Sequence, residues 1–271
     1  MSDDRDHLRL GFCSISALDR TLAEAAALAA GAGLDALEVT ARPPHLDPSA
    51  GLDAARQAGR VVRGAGVEVV AYGSYMGRFG QSSAADAQRE VAIAAALETR
   101  RLRVWAEPVS DGSTDVAPVV AWLRVACDAA AADGITVVVE RHIGSFADTP
   151  ERVEALLAAV DRPNLALNYQ VLDFLPPSEL AAQPDDAARL VRHARYFHLK
   201  NYQRNGDGPV FPGGSLADGV LDYRAILGAA LRAGYAGPLT IEFLAADERP
   251  VEEKLAADVA FVRAVLAELA R

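Results

Sequence analysis

The chain reads as an α/β protein, a single (β/α)8 TIM barrel spanning 1–271, and three observations predict it. Short β-branched runs alternate with Ala/Leu-rich stretches eight times. Several of those stretches close on glycine just before the next run, as in GAGLDALEV, GAGVEVV and DGITVVV. Four runs that look buried carry a polar residue near the carboxyl end: Glu140, Gln170, His198 and Glu242. A parallel barrel explains all three, because its strands are covered by helices that stop on Gly, and its functional groups gather where the strands end.

The strands are expected at 8–12 (LRLGF), 35–39 (DALEV), 67–72 (VEVVAY), 102–107 (LRVWAE), 135–142 (ITVVVERH), 165–170 (LALNYQ), 195–201 (RYFHLKN) and 238–243 (PLTIEF). Each is short, rich in residues that suit a pleated surface, and bounded by breakers. The intervening helices include TLAEAAALAAGAG, AARQAGRVVRGAG, AADAQREVAIAAALETR, VAPVVAWLRVACDAAAADG, PERVEALLAAV, DDAARLVRHA and YRAILGAALRAGY, and VEEKLAADVAFVRAVLAELA follows the last strand. Thr149 before Pro150 and Asp222 supply helix starts, since a hydroxyl or carboxylate accepts from the first free backbone N–H groups. Eight such units in 271 residues match one barrel, with no linker or second domain.

Side chains alternate between the two faces of a strand, so the polar residues can be sorted by direction. Glu140 and His142 go with Thr136 and Val138, against Val137 and Val139. Gln170 goes with Asn168, His198 with Lys200, Glu242 with Thr240, and Glu38 with Thr40. Trp105 shares its face with Arg103 and Glu107. In a barrel the apolar set packs under the helices and the polar set points inward, near one mouth.

Composition excludes several alternatives. A formal net charge of −10 argues against nonspecific nucleic-acid binding, which needs dense Lys and Arg. The charged N-terminal stretch MSDDRDHLRL has no apolar signal-peptide core, and no run reaches bilayer length, so a soluble cytoplasmic protein without membrane partners is expected. Cys13 and Cys127 are far apart and match no zinc spacing, and read as reduced thiols. A homo-oligomer is compatible with all of this.

Two carboxylates, an imidazole and an amide oxygen form an N/O donor set suited to Mn²⁺, Mg²⁺, Co²⁺ or Zn²⁺, with no thiolate to favour a softer metal. The alternative is a metal-free hydrogen-bonded network across the barrel.

The motifs resemble those of the xylose isomerase-like TIM barrels, a family of sugar phosphate isomerases/epimerases, ketose 3-epimerases, inosose dehydratases and type-four AP endonucleases. GLDALEV at 33–39 resembles the second-strand motif ending in Glu. VVAYGSYM at 69–76 and RVWAE at 103–107 are similar to strands three and four of the sugar isomerase/epimerase branch. VVVERH at 137–142 resembles the Glu-x-His motif and FHLKN at 197–201 the His-x-Lys motif. LADGVLDYRAIL at 216–227 with GYAGPLTIEF at 234–243 resembles the C-terminal signature.

The resemblance implies that Glu140, His198 and Glu242 are metal ligands. The fourth ligand is usually Asp in Asn-Tyr-Asp-x-x-His, whereas this chain reads Asn168-Tyr169-Gln170-Val171-Leu172-Asp173. Gln170 still offers a carbonyl oxygen but no charge, which implies weaker metal binding; a shifted register would put Asn168 there instead. Asp173 stands where relatives use a substrate-touching His.

The implied activity is metal-dependent isomerisation or epimerisation of a sugar or sugar phosphate, with Glu140 and Glu242 moving a proton beside a carbonyl through an enediolate. A dehydratase acting on an inosose or keto-sugar would use the same groups, and a metal-free sugar-binding or regulatory barrel is the alternative outside enzymes. Five histidines and an acidic surface argue against the endonuclease branch. A small carbohydrate is the expected partner. Lys200 would hold an oxyanion, phosphate or carboxylate, or else pair with an acid such as Glu38. His142 would touch a substrate hydroxyl or orient Glu140. Trp105 would wall a sugar ring or fill the core. His45, in the PPHLDP loop after strand two, lies on the functional side or is merely solvated.

Overall fold

The computed structural model describes residues 8–78, 82–108 and 113–270, so the charged stretch 1–7 lies outside it. Eight parallel strands close into a barrel: β1 (Leu10–Cys13), β2 (Ala36–Thr40), β3 (Glu68–Gly73), β4 (Arg101–Val104), β5 (Thr136–Glu140), β6 (Leu165–Tyr169), β7 (Ala194–Leu199) and β10 (Leu239–Ile241), which pairs back onto β1. Among the described residues eight helices accompany them: α1 (Leu22–Gly31), α2 (Leu52–Gly64), α3 (Ala84–Leu97), α4 (Ala117–Ala131), α5 (Pro150–Val160), α6 (Gln183–Leu190), α7 (Tyr223–Arg232) and α8 (Val251–Leu269). None is long and apolar enough to cross a membrane.

The local signals act as expected. Gly33, Gly66 and Gly134 adopt φ of 72°, 84° and 64°, the left-handed region in which glycine has no Cβ penalty, and return the chain to β2, β3 and β5. Thr149 caps α5 by accepting from the Arg152 N–H, and Asp222 caps α7 by accepting from Ala225.

The outward strand residues join the helices in the main core. A smaller cluster of Ala36, Val70, Ala71, Val138, Ala166 and Tyr196 fills the barrel interior. On β2, β5, β6 and β7 these interior residues precede Glu38, Glu140, Asn168 and His198 by two positions. The polar groups therefore form the next layer, toward the C-terminal mouth.

One element departs from the expected order. After β7 the chain forms an antiparallel hairpin, β8 (Asn201–Asn205) and β9 (Gly208–Gly214), turning at Asn205-Gly206-Asp207-Gly208 with Gly206 at φ 56°. Backbone hydrogen bonds from Val210 to Leu175 and from Ala246 to Gly213 tie it to the segments that follow β6 and β10.

Candidate active site

The expected residues converge, apart from His45. Glu38, Glu140, Gln170, His198, Lys200 and Glu242 are all buried; Glu38 lies mid-strand in β2, His198 is the penultimate residue of β7, and the others sit at or just beyond the end of their strands. Glu38 places Oε2 2.8 Å from His198 Nε2 and Oε1 3.2 Å from Arg103 Nη2. Arg103 also puts Nη1 2.8 Å from Glu140 Oε2. It thus bridges two carboxylates from a position 2% exposed. Gly73, at the end of β3, leaves room for that bridge, because a Cβ there would collide with Glu38 Oε1 and Arg103 Nη2.

Gln170 spends its amide on two acceptors, donating from Nε2 to Glu140 Oε1 at 2.9 Å and to the Arg141 carbonyl at 2.8 Å. The carbonyl can only accept, so it sets the amide orientation and leaves Gln170 Oε1 without a donor. His198 Nδ1 lies 3.2 Å from Asn168 Nδ2 and 3.5 Å from Glu242 Oε1. Glu242 Oε2 lies 3.4 Å from Lys200 Nζ, which also meets Asp173 Oδ1 at 3.0 Å. The Tyr202 hydroxyl donates to the Val171 carbonyl at 2.6 Å and lies 3.0 Å from Asp173 Oδ1, so hairpin β8–β9 helps position this end of the site.

Four carboxylates, Glu38, Glu140, Asp173 and Glu242, face two permanent cations, Arg103 and Lys200, an excess of two negative charges. Burial alone would push the Glu38 carboxyl up, but His198 and Arg103 outweigh it and hold it at about 2. Glu140 goes the other way: burial, reinforced by Glu242, raises it despite Arg103. Burial disfavours charge on His198, yet Glu242 and Glu38 raise its pKa, and Glu242 with Asp173 lifts Lys200 to about 12 against the same penalty.

Some placements differ in character from the rest. His142 stacks edge-on against Trp105 with ring centroids 4.5 Å apart, and Nδ1 lies 3.0 Å from the Ile143 carbonyl and 3.4 Å from Arg78 Nη1. Burial and Arg78 lower its pKa to about 4, so it is a neutral imidazole near pH 7. Trp105 packs under the Arg78 guanidinium at 4.1 Å and keeps a buried Nε1–H without an acceptor. His45 is buried with Nδ1 3.0 Å from Ser14 Oγ and Nε2 near the Ala17 and Arg20 carbonyls at 3.1 and 3.0 Å. Its ring thereby braces the loop after β2 against the segment after β1.

Two observations bear on a metal. Glu140 Oε2, Gln170 Oε1 and Glu242 Oε2 are buried oxygens without an aligned hydrogen-bond donor, the first despite its 2.8 Å charge contact with Arg103. With the Nδ1 side of His198 they supply the expected hard donor set. Among the described residues, however, the His, Cys, Asp and Glu ligand atoms that all lie within 4.8 Å of one another belong to Cys13, Glu38 and His198. Arg103 holds Glu140, and Lys200 lies beside Glu242. Burial, together with Glu38 and Glu242, keeps the Cys13 thiol well above its usual pKa, so it is neutral in the metal-free site.

Sequence reasoning did not single out Arg103 or Gly73. The signal for Arg103 was its shared face with Trp105 on a buried strand. Asn168, considered there as the register alternative, lies beside His198.

The model of the xylose isomerase-like TIM barrel family matches residues 26–265. Among solved structures, an L-ribulose 3-epimerase aligns with TM-score 0.74 at 18% identity, covering 97% of this chain and 96% of that one. A xylose isomerase-like TIM barrel protein from Mycobacterium smegmatis in complex with magnesium aligns with TM-score 0.73 at 18% identity, covering 97% of each chain. At these identities the likeness is one of fold. A 3-dehydroshikimate dehydratase from Bacillus anthracis is 35% identical over 80 residues, a stretch spanning 29% of this chain and 28% of that protein.

Proposed function

Because the chain belongs to the xylose isomerase-like TIM barrel family, we propose that it is a metal-dependent isomerase or epimerase that moves a proton beside the carbonyl of a small sugar or sugar phosphate. One observation carries this reading: Glu140 and Glu242, on well-separated strands, each keep a buried oxygen without an aligned donor, in a layer just above the apolar barrel interior. A base must reach a C–H with an unspent oxygen, and two bases on different strands can serve two faces of one carbon.

Glu140, Gln170, His198 and Glu242 would hold the divalent ion, which supplies an electrophile for the developing oxyanion when bound. Glu38 orients His198 by accepting from Nε2, which leaves Nδ1 as the nitrogen facing Glu242. Burial raises the Glu140 pKa, which favours its returning a proton as well as taking one. Lys200 supports the charge on Glu242 and offers a cation to an oxyanion or phosphate. The Trp105 Nε1–H is available to a substrate hydroxyl.

A second reading, dehydration of a β-hydroxy carbonyl compound, is favoured by the 80-residue match to a dehydratase and by two buried cations suited to a carboxylate-bearing substrate. Assaying a panel of ketoses, their phosphates, inososes and hydroxy keto-acids with Mn²⁺ or Mg²⁺ separates the two. Isomer formation without loss of water supports the first; a near-ultraviolet band from a new conjugated double bond supports the second. Turnover of nothing in the panel counts against both.

A further inference from the structure

The chain has two cysteines, and the strands turn one of them into the barrel. Leu10 and Phe12 of β1 join the outer core, so alternation along the strand points Cys13 inward. Cys127 lies on α4, packed in that outer core. Cys13 stands opposite Glu38 of β2, and Thr240 of β10 pairs with Gly11 of β1 on one side and with His198 of β7 on the other. The thiol thus meets its neighbours across strands, where cysteine spacing along the sequence carries no signal.

The ligand atoms of Cys13, Glu38 and His198 all lie within 4.8 Å of one another, and the three residues are fully buried. Donors held by a tetrahedral Zn²⁺ at about 2.0–2.3 Å lie roughly 3.3–3.8 Å apart, so side-chain shifts within the observed spacing close a site. Sulfur, nitrogen and oxygen together suit a borderline-soft ion better than Mg²⁺ or Mn²⁺. Glu140, Gln170 and Glu242 take no part in this set, and His198 enters it through Nε2 rather than Nδ1. Arg103 holds Glu38 Oε1 and leaves Oε2 on the His198 side. A thiolate and one carboxylate also neutralise a divalent charge. The Tyr196 hydroxyl points to a ligand in the same space: it is buried without an aligned hydrogen-bond partner, within electrostatic reach of Glu38 and Cys13. Its ring lies edge-on to His198 with centroids 5.0 Å apart.

We propose that Cys13, Glu38 and His198 form a binding site for a thiophilic divalent cation such as Zn²⁺, on the β1–β2 side of the barrel. The ion replaces the Cys13 S–H proton, which leaves to solvent, and the His198 Nε2 proton, which moves to Nδ1, 3.5 Å from Glu242 Oε1. The site is independent of the proposed reaction.

Cd²⁺ titration of the full chain, stripped of metal by a chelator and kept reduced by a phosphine, tests it. The readout is the ultraviolet sulfur-to-Cd²⁺ charge-transfer band, which oxygen and nitrogen ligands do not produce. The band should saturate at one equivalent and be bleached by excess Zn²⁺. It should persist in Cys127→Ser, where Cys13 is the remaining thiol, and vanish in Cys13→Ser and Cys13→Ala. His198→Gln should weaken Cd²⁺ binding by at least the roughly 10–100-fold that follows loss of a supporting partner at a metal site. Circular dichroism checks that each variant is folded; if neither Cys13 variant is, Cys127→Ser decides. No band in the wild type, a band in a folded Cys13 variant, its loss in folded Cys127→Ser, or a band that excess Zn²⁺ leaves intact overturns the proposal. Unchanged affinity in folded His198→Gln overturns it too, because the site would then be a lone thiol.

Discussion

Arg103 Nη1 lies 2.8 Å from Glu140 Oε2, with both side chains buried. The guanidinium of a residue from β4 thus lies against one of the oxygens that a divalent ion would need. On the proposed reading, an ion bound there would have to replace or share that contact, so Arg103 would weaken metal binding, as the neutral Gln170 would.

Arg103→Met is expected to tighten Mn²⁺ binding by at least tenfold, because it leaves Glu38 and Glu140 with an uncompensated charge that the ion then meets. Without metal the variant should be less stable by about 3–5 kcal/mol, the usual result of removing one partner from a buried ion pair. Calorimetric titration and thermal melts with and without Mn²⁺ measure both. Unchanged affinity would mean that Glu140 is not a ligand.

Gln170→Asp restores a charged donor and should also tighten binding, while lowering the melting temperature of the metal-free protein. The new carboxylate loses the donation to Glu140 and to the Arg141 carbonyl. If affinity stays the same or falls, Gln170 lies outside the coordination sphere.

Gly73→Ala is a test of packing at the site. The added Cβ would displace Glu38 and Arg103, so activity should fall by two orders of magnitude or more while circular dichroism stays near that of the wild type. Retained activity would show that the Glu38–Arg103 contact is dispensable.

Asp258 accepts from the Leu216 N–H at 2.8 Å, and burial pushes its carboxyl from an ordinary value of 3.8 to about 6. The folded state then binds the proton more tightly than the unfolded chain, so this residue costs stability as pH rises from about 4 to about 6. Asp258→Asn keeps an acceptor oxygen and cannot ionise. It should melt several degrees above the wild type at pH 8, from a gain on the order of 3 kcal/mol, and near it at pH 3.5. An equal gap at both pH values would refute the assignment.

The barrel was legible because strand parity and glycine helix stops are local signals, and the direction of Glu38, Glu140, Gln170 and His198 followed from parity alone. Hairpin β8–β9 was not, although its Asn-Gly and Asp-Gly pairs are hairpin signals, because the strand-like run through Asn201 read as the continuation of β7. Arg103 escaped notice for a different reason. Its importance lies in which carboxylates it meets from neighbouring strands, and one strand's sequence carries no record of that. His45 shows the converse: its loop position suggested function, but both ring nitrogens meet structural partners that only the packed fold reveals.

Solvent deuterium incorporation into substrate, followed by mass spectrometry over the ketose, inosose and keto-acid panel, tests proton transfer by Glu140 and Glu242 most directly. The wild type should exchange the hydrogen beside the carbonyl of at least one compound, even without net turnover. Glu140→Gln and Glu242→Gln, both folded, should each lose that exchange by a factor of 100 or more, the order of one positioned acid–base group. Exchange undiminished in both variants, or none in the wild type with any compound, would contradict it.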